Sequence, residues 1–243
     1  MQRRSENALI FMVKWPEPGR AKTRLCPPLS PEAAAALARC FLLDTLAAAA
    51  GAEADRWLAF APAGRAADFA ALVGPDVGLI VAEGADLGEC LCVAQARALA
   101  LGYQRVALVG SDLPHLPVAR YAEAFGALAG ADLALGPSAD GGYYLLAAAG
   151  PTTRLFKHVT WSTAAVFAQT LERAHEAGLS VTTLAPCDDV DSAADLPRLL
   201  AELRTRPGAG HTLPLLERLA SALPAGLSAD CSDWSLPGRP QRA

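Results

Sequence analysis

Paired cysteines are missing from this chain. Its six cysteines, Cys26, Cys40, Cys90, Cys92, Cys187 and Cys231, form no CxxC spacing. That argues against a zinc site, and the thiols are expected to be free, in a reducing cytoplasm. Cys90 and Cys92 fall on an expected helix, where residues two apart point away from each other. A targeting run is missing too: the first apolar stretch, Ala8–Val13, ends at Lys14, too short for the core of a signal peptide. No membrane span is expected either, because Arg39 and Asp44 interrupt the Ala-rich stretch Ala33–Ala50, which reads as a core-packed helix. Basic charge is not in surplus. The 21 Lys and Arg against 25 Asp and Glu leave a formal net charge of −4, so no global field draws nucleic acid. There are no internal repeats. What the chain does have is 243 residues, 52% hydrophobic and 19% charged, enough for a sizeable core in one large domain or two small ones.

Short apolar runs alternate with Ala/Leu-rich helical stretches. Strands are expected at Ala8–Val13, Arg56–Ala61, Val77–Ala82, Arg105–Val109, Asp132–Gly136, Tyr143–Ala147 and Ser180–Leu184. Helices are expected at Pro31–Ala50, Ala63–Val73, Leu87–Leu101, Val118–Ala129, Thr163–Ala177 and Ala193–Arg204. Such a series predicts an α/β fold with a mostly parallel sheet and helices on both faces. Ser30 before Pro31 is a good helix start, and Ser162 reads as a second N-cap. The texture changes after Arg204. Residues 1–204 are expected to form one domain. Residues 205–243 form an appendage with one more helix, Thr212–Leu223, and a Pro/Gly/Ser-rich end beyond Pro224.

Four stretches carry chemistry. Directly after the first strand comes Lys14-Trp15-Pro16-Glu17-Pro18-Gly19-Arg20-Ala21-Lys22-Thr23-Arg24-Leu25. Two prolines and a glycine end the strand, and four cations stand within eleven residues. A rigid cationic loop at the carboxyl end of the first strand of an α/β sheet is where phosphates bind; the alternative is a solvated basic loop. A second stretch, Val109-Gly110-Ser111-Asp112, sets a carboxylate just past a strand end. There it can hold Mg²⁺ or Mn²⁺, or serve as an Asx-turn or helix cap. The third, Asp140-Gly141-Gly142-Tyr143, is a hairpin signal whose glycines could also let the backbone approach a ligand. The fourth holds Asp188, Asp189, Asp191 and Asp195 within eight residues. Capping explains one or two of these acids, and a shared cation explains the rest. Together the basic loop and the two acidic turns form the layout for a divalent metal holding a nucleotide's phosphates.

These blocks resemble a bacterial family of unknown function described as GT-A-type glycosyltransferases. It includes members of the arsenosugar-biosynthesis type and belongs to the nucleotide-diphospho-sugar transferase superfamily. The resemblance covers about Ala8 to Leu200. It rests on the Lys14–Leu25 block, Asp86-Leu87-Gly88-Glu89, Gly110-Ser111-Asp112-Leu113-Pro114, Gly136-Pro137, Asp140-Gly141-Gly142-Tyr143, Trp161-Ser162, Asp189-Val190-Asp191 and Asp195-Leu196. It implies a GT-A fold, a Rossmann-like three-layer sandwich, with Mg²⁺ or Mn²⁺ on Asp112 and Asp191 and Asp189 as a third ligand. Lys22, Arg24 and Asp112 would be the catalytic residues. Lys14, Gly19, Lys22, Thr23, Arg24, Gly88, Glu89, Asp140, Gly141, Gly142, Tyr143 and Trp161 would line the nucleotide and its phosphates. Cys90 stands where the family usually has arginine, and His115 and Ala139 where polar or acidic residues are common.

The resemblance implies transfer of a sugar from a nucleotide-sugar to a small-molecule acceptor. A similar Lys-x-Arg-Leu block occurs in phospholactate guanylyltransferases, so the alternative is nucleotidyl transfer from a nucleoside triphosphate with release of pyrophosphate. A loop with this many cations suits the triphosphate. A third possibility is a non-catalytic nucleotide-binding member, which Cys90 alone supports.

Overall fold

The computed structural model describes residues 3–205 and 208–222. The segment beyond Pro224, with Cys231, lies outside the described residues. The strands are β1 (Asn7–Lys14), β2 (Asp55–Ala61), β3 (Gly78–Val81), β4 (Arg105–Gly110), β5 (Leu133–Pro137), β6 (Tyr143–Ala148) and β7 (Val181–Thr183). They form one sheet in the order β3-β2-β1-β4-β6-β5-β7. All neighbours are parallel except the pairs made by β6, which runs against both β4 and β5. The chain moves outward from β1 to β3 and then returns to β4 on the other side of β1. The carboxyl ends of β1 and β4 therefore flank the switch point, where open α/β sheets bind ligands.

The helices are α1 (Pro31–Ala48), α2 (Ala66–Val73), α3 (Leu87–Ala100), α4 (Ala119–Ala127), α5 (Val166–Glu176), α6 (Leu196–Thr205) and α7 (Thr212–Ala222). Strand residues alternate between two cores, as a period of two requires. Leu9, Phe11, Leu58, Phe60 and Val109 face α1, α2 and α4 through Leu42, Leu46, Phe69 and Tyr121. Ala8, Ile10, Trp57, Ala59 and Leu108 face α3 and α5 through Leu91, Ala94, Ala98 and Ala174. The sheet is thus covered on both faces, the α/β sandwich that the alternating runs predict. A third core lies on the far side of α1, where Leu37 and Phe41 meet Leu25, Val190, Leu199, Leu203 and Leu216.

This double burial explains why α1 is apolar nearly all round. By length and composition Pro31–Gly51 could cross a membrane, but its two interior charges are committed within the protein. Arg39 donates from Nη2 to the Pro16 carbonyl at 3.2 Å. Asp44, fully buried, accepts from the backbone N–H groups of His211 and Thr212 at 3.1 and 2.6 Å and so satisfies the start of α7.

Ser30 caps α1 as expected, accepting from the Ala33 N–H at 3.2 Å with Pro31 at the first helical position. Ser162 does not cap α5. The helix begins at Val166 with Ala165 at its N-cap, and Ser162 takes a left-handed backbone (φ 64°) in the preceding turn. The hydroxyl of Thr163 donates instead to the Thr160 carbonyl at 2.7 Å, so local side-chain bonds hold this stretch as a turn.

Candidate active site

The loop after β1 is anchored at both ends. At its start the guanidinium groups of Arg39 and Arg65 lie over the Trp15 ring, 5.7 and 5.5 Å from its centroid, and Phe69 meets Trp15 edge-on at 4.9 Å between centroids. Cations over an indole face are attracted by its quadrupole. Arg65 also pairs with Glu17 in the loop and with Asp68 on α2. At the far end the short 3-10 turn Thr23–Leu25 buries Leu25 completely in the third core. Between these anchors Lys22 takes a left-handed backbone, φ 48°, uncommon for a residue with a β-carbon.

The Lys22 side chain points inward, only 9% exposed, and its Nζ lies 2.7 Å from Asp112 Oδ2 and 4.0 Å from Asp191 Oδ1. Asp112 follows β4, with β4 residue Gly110 paired to Met12 of β1. The carbonyl of Asp112 accepts the N–H of Val190 at 3.3 Å. Val190 is fully buried beside Leu25 in the third core, which holds its flanking aspartates beside the basic turn. Arg24 bonds Asp191. Lys22, Arg24, Asp112, Asp189 and Asp191, far apart in the chain, are thereby gathered at the switch point.

Burial and charge act together on these groups. Burial works against the Lys22 charge, yet Asp112, with Asp189 and Asp191 further out, holds the ammonium above the ordinary lysine range. Burial pushes Asp189 up to about 6; Lys22 opposes this, while Asp191, Asp112 and Asp140 add to it. A buried carboxylate among like charges is the arrangement that invites a cation. Among the described residues no three His, Cys, Asp or Glu side chains are already gathered as metal ligands. Asp112 and Asp191 converge on Lys22 instead. Their hard oxygens still suit Mg²⁺ or Mn²⁺, because Mg²⁺ commonly takes one or two carboxylates and completes its shell with water and substrate phosphates.

The other expected site residues fall in two groups and a remainder. Gly88 and Glu89 open α3, where Asp86 caps the helix by accepting the Glu89 N–H at 2.9 Å and Glu89 accepts the Ala85 N–H at 2.8 Å. Trp161 packs on Gly88, whose added β-carbon would lie 2.7 Å from the indole nitrogen. Trp161 also contacts the ring of Phe156. The second group is the β5–β6 hairpin. Asp140 accepts from Ser138 Oγ and the Gly142 N–H at 2.6 and 2.9 Å, an Asx-type turn. Gly141, at φ 84°, presses on the backbone of Ala164, so the close approach its lack of a side chain permits is to this chain itself. Tyr143 packs among the residues between the sheet, α3 and α5. Of the remainder, Lys14 is exposed near Cys90 and tempers the upward push of burial on that thiol. Gly19 (φ 75°) and Thr23 are exposed in the loop. Asp188 accepts the Ala139 N–H at 2.7 Å, and Asp195 accepts from Asp191 N–H, Ser192 N–H and Ser192 Oγ, so two of the four late acids cap backbone.

Sequence reasoning missed Arg39, Arg65 and Glu17, which hold the basic loop in place. A lone arginine inside an otherwise apolar helix was the available signal for Arg39. His115 lies beside Cys187, Nε2 to Sγ 3.4 Å, and lines a cavity of about 280 Å³ with Arg120, Asp188 and Arg198.

The seven-stranded α/β sheet with one reversed strand is the Rossmann-like fold of the nucleotide-diphospho-sugar transferases, and in this chain a charged cluster stands at its switch point. A proposed nucleotide-diphospho-sugar transferase of Desulfovibrio desulfuricans G20 is 35% identical in sequence, with a TM-score of 0.83 over 89% of this chain and 96% of its own. The family model described as uncharacterized protein conserved in bacteria (DUF2064) matches residues 43–163. The chain belongs to the same family as the Desulfovibrio protein. More distant structures share the fold. Rv0371c of Mycobacterium tuberculosis H37Rv in complex with manganese is 20% identical, with a TM-score of 0.52 over 80% of this chain and 97% of its own. CMP:2-keto-3-deoxy-manno-octonic acid synthetase complexed with CTP is 12% identical, with a TM-score of 0.54 over 82% of this chain and 99% of its own. No curated protein matches the chain.

Proposed function

We propose that the protein is a metal-dependent glycosyltransferase of the cytoplasm that takes a nucleotide-sugar donor and passes the sugar to a small-molecule acceptor. The observation that carries this reading is the convergence of Lys22 and Arg24 on Asp112 and Asp191 at the switch point. Residues 1–204 would form the transferase domain and 205–243 its appendage. Asp112 and Asp191, with Asp189, would hold Mg²⁺ or Mn²⁺, which when bound supplies positive charge against the diphosphate oxygens. Lys22 and Arg24 would hydrogen-bond the diphosphate and stabilise the negative charge it gains as it leaves. Lys14, Gly19 and Thr23 would rim the phosphates, and the hairpin at Asp140 and the start of α3 at Gly88 and Glu89 would bound the donor. The manganese complex of Rv0371c supports the metal, and the name given to the Desulfovibrio protein supports the donor.

Nucleotidyl transfer rests on the cationic density of the loop. Three of the four loop cations already face a carboxylate of the chain: Lys22 on Asp112, Arg24 on Asp191 and Arg20 on Glu17. That pairing bears equally on a diphosphate and a triphosphate, and the name given to the Desulfovibrio protein favours the sugar donor.

Calorimetric titration of nucleotide-sugars and nucleoside triphosphates, with and without Mn²⁺, tests the assignment. Metal-dependent binding of a nucleotide-sugar, with nucleoside diphosphate released on adding acceptor, is the expected result. Pyrophosphate release from a triphosphate would replace this reading with nucleotidyl transfer. Failure to bind either nucleotide would leave a non-catalytic role.

A further inference from the structure

Lys22 and Arg24 stand in this structure as counter-ions of the very carboxylates assigned to the metal. Lys22 Nζ sits 2.7 Å from Asp112 and 4.0 Å from Asp191, and Arg24 bonds the other oxygen of Asp191. The lysine is not merely near by. Its side chain is 9% exposed and its backbone is held left-handed between two anchors.

Two consequences follow from charge alone. A dication cannot take up Asp112 and Asp191 while an ammonium lies against both, because like charges at such separation repel strongly in a partly buried site. Nor can Lys22 and Arg24 serve a phosphate while their charge is spent on carboxylates. The cluster of Lys22, Arg24, Asp112, Asp189 and Asp191 sums formally to −1, from two cations and three carboxylates, which does not attract an anion. Adding a dication brings the sum to +1 and frees both side chains. The lysine stem is flexible enough to swing its ammonium away.

We infer that Lys22, assisted by Arg24, closes the metal site of the ligand-free protein and moves to the nucleotide's phosphates when metal enters, so that metal and nucleotide bind as an obligately coupled pair. The inference rests on the assignment of Asp112 and Asp191 as metal carboxylates in the proposed function. Coupling of this kind is reciprocal: each ligand raises the affinity for the other by the same factor. Its consequence is that the protein takes up the metal–nucleotide complex and does not accumulate free metal.

The test is Mn²⁺ binding to the nucleotide-free protein, read from the paramagnetic resonance signal of unbound Mn²⁺. Lys22→Met is expected to bind Mn²⁺ at least tenfold more tightly than wild type, Lys22→Arg to match wild type, and the double variant Lys22→Met/Asp112→Asn to lose the gain. Arg24→Met, at an exposed side chain, is expected to tighten Mn²⁺ binding severalfold, and it decides the matter if Lys22→Met does not fold. Folded variants that bind Mn²⁺ no more tightly than wild type overturn the inference. The same titrations in an equimolar mixture of ADP, GDP, CDP and UDP separate the two levels. Mn²⁺-dependent nucleotide binding with unaltered metal affinity in the variants sinks the gate and leaves the proposed function standing. Absence of both Mn²⁺ and nucleotide binding in every variant sinks both.

Discussion

Val190 donates its backbone N–H to the carbonyl of Asp112 across 3.3 Å, and this bond joins the turn after β4 to the late acidic segment. The side chain of Val190 is fully buried against the core that also takes Leu25. One apolar residue therefore sets the acids on both sides of it beside the basic turn. Val190→Ala is expected to cost about 2 kcal/mol, from two lost methyl groups and the cavity they leave. Because Asp189 and Asp191 lose their anchor, metal-dependent nucleotide binding should fall further than stability alone explains. Urea unfolding and calorimetric nucleotide titration, run on the same variant, check both parts.

Asp112→Asn keeps the shape of the side chain and removes its charge. If Asp112 holds the metal, the variant should lose roughly a hundredfold or more in turnover, in the range seen when one group that stabilises transition-state charge is removed. Metal-dependent nucleotide binding should disappear with it. A variant that still binds nucleotide in a metal-dependent way would remove Asp112 from the metal site.

Asp189 gives a pH signature. Burial raises its folded value to about 6, above the roughly 3.9 of an unfolded chain. A carboxyl raised on folding favours the folded state while protonated, and that contribution is lost as pH rises through the interval from about 4 to about 6. In the ligand-free protein, Asp189→Asn should therefore gain stability relative to wild type across that interval and hold a constant advantage above it. Thermal melts of both proteins at a series of pH values measure the difference. A flat difference would mean that the carboxyl is not raised.

The sheet was legible in the sequence because its strands are short apolar runs separated by glycine, proline and capping residues. Each of the seven expected strands has a counterpart within a residue or two. The candidate site was legible for a related reason: Lys22, Arg24, Asp112, Asp189 and Asp191 are charges that no helix face or strand alternation explains. Less legible were contacts made at long range. The charges of Arg39 and Asp44 read only as interruptions of an apolar helix, though one holds the Pro16 carbonyl and the other caps α7. Their partners lie 23 and more than 160 residues away, and no local pattern marks such a pairing. Ser162 failed as a cap for the opposite reason: the residue type was right, but the neighbouring hydroxyl bond of Thr163 to the Thr160 carbonyl holds the stretch as a turn.

The Gly141–Gly142 pair separates a packing role from a ligand role. Gly141 has φ 84°, and a β-carbon there would stand 2.1 Å from the carbonyl oxygen of Ala164. The N–H of Phe167 also bonds the Gly141 carbonyl at 2.8 Å, so the hairpin tip is docked on the turn that leads into α5. Gly142 has ordinary backbone, and its added carbon would meet only the side chains of Asp140 and Ser138 at 3.2 and 3.3 Å, which can move by that little. Gly141→Ala should cost about 3 kcal/mol or more, from the left-handed backbone and a contact that backbone must yield to. Gly142→Ala should cost well under about 1 kcal/mol, as most substitutions away from such constraints do. Thermal melts of the ligand-free proteins measure both. If the two variants are equally stable and Gly141→Ala alone loses nucleotide affinity, then Gly141 is a ligand contact and the docking on Ala164 is incidental.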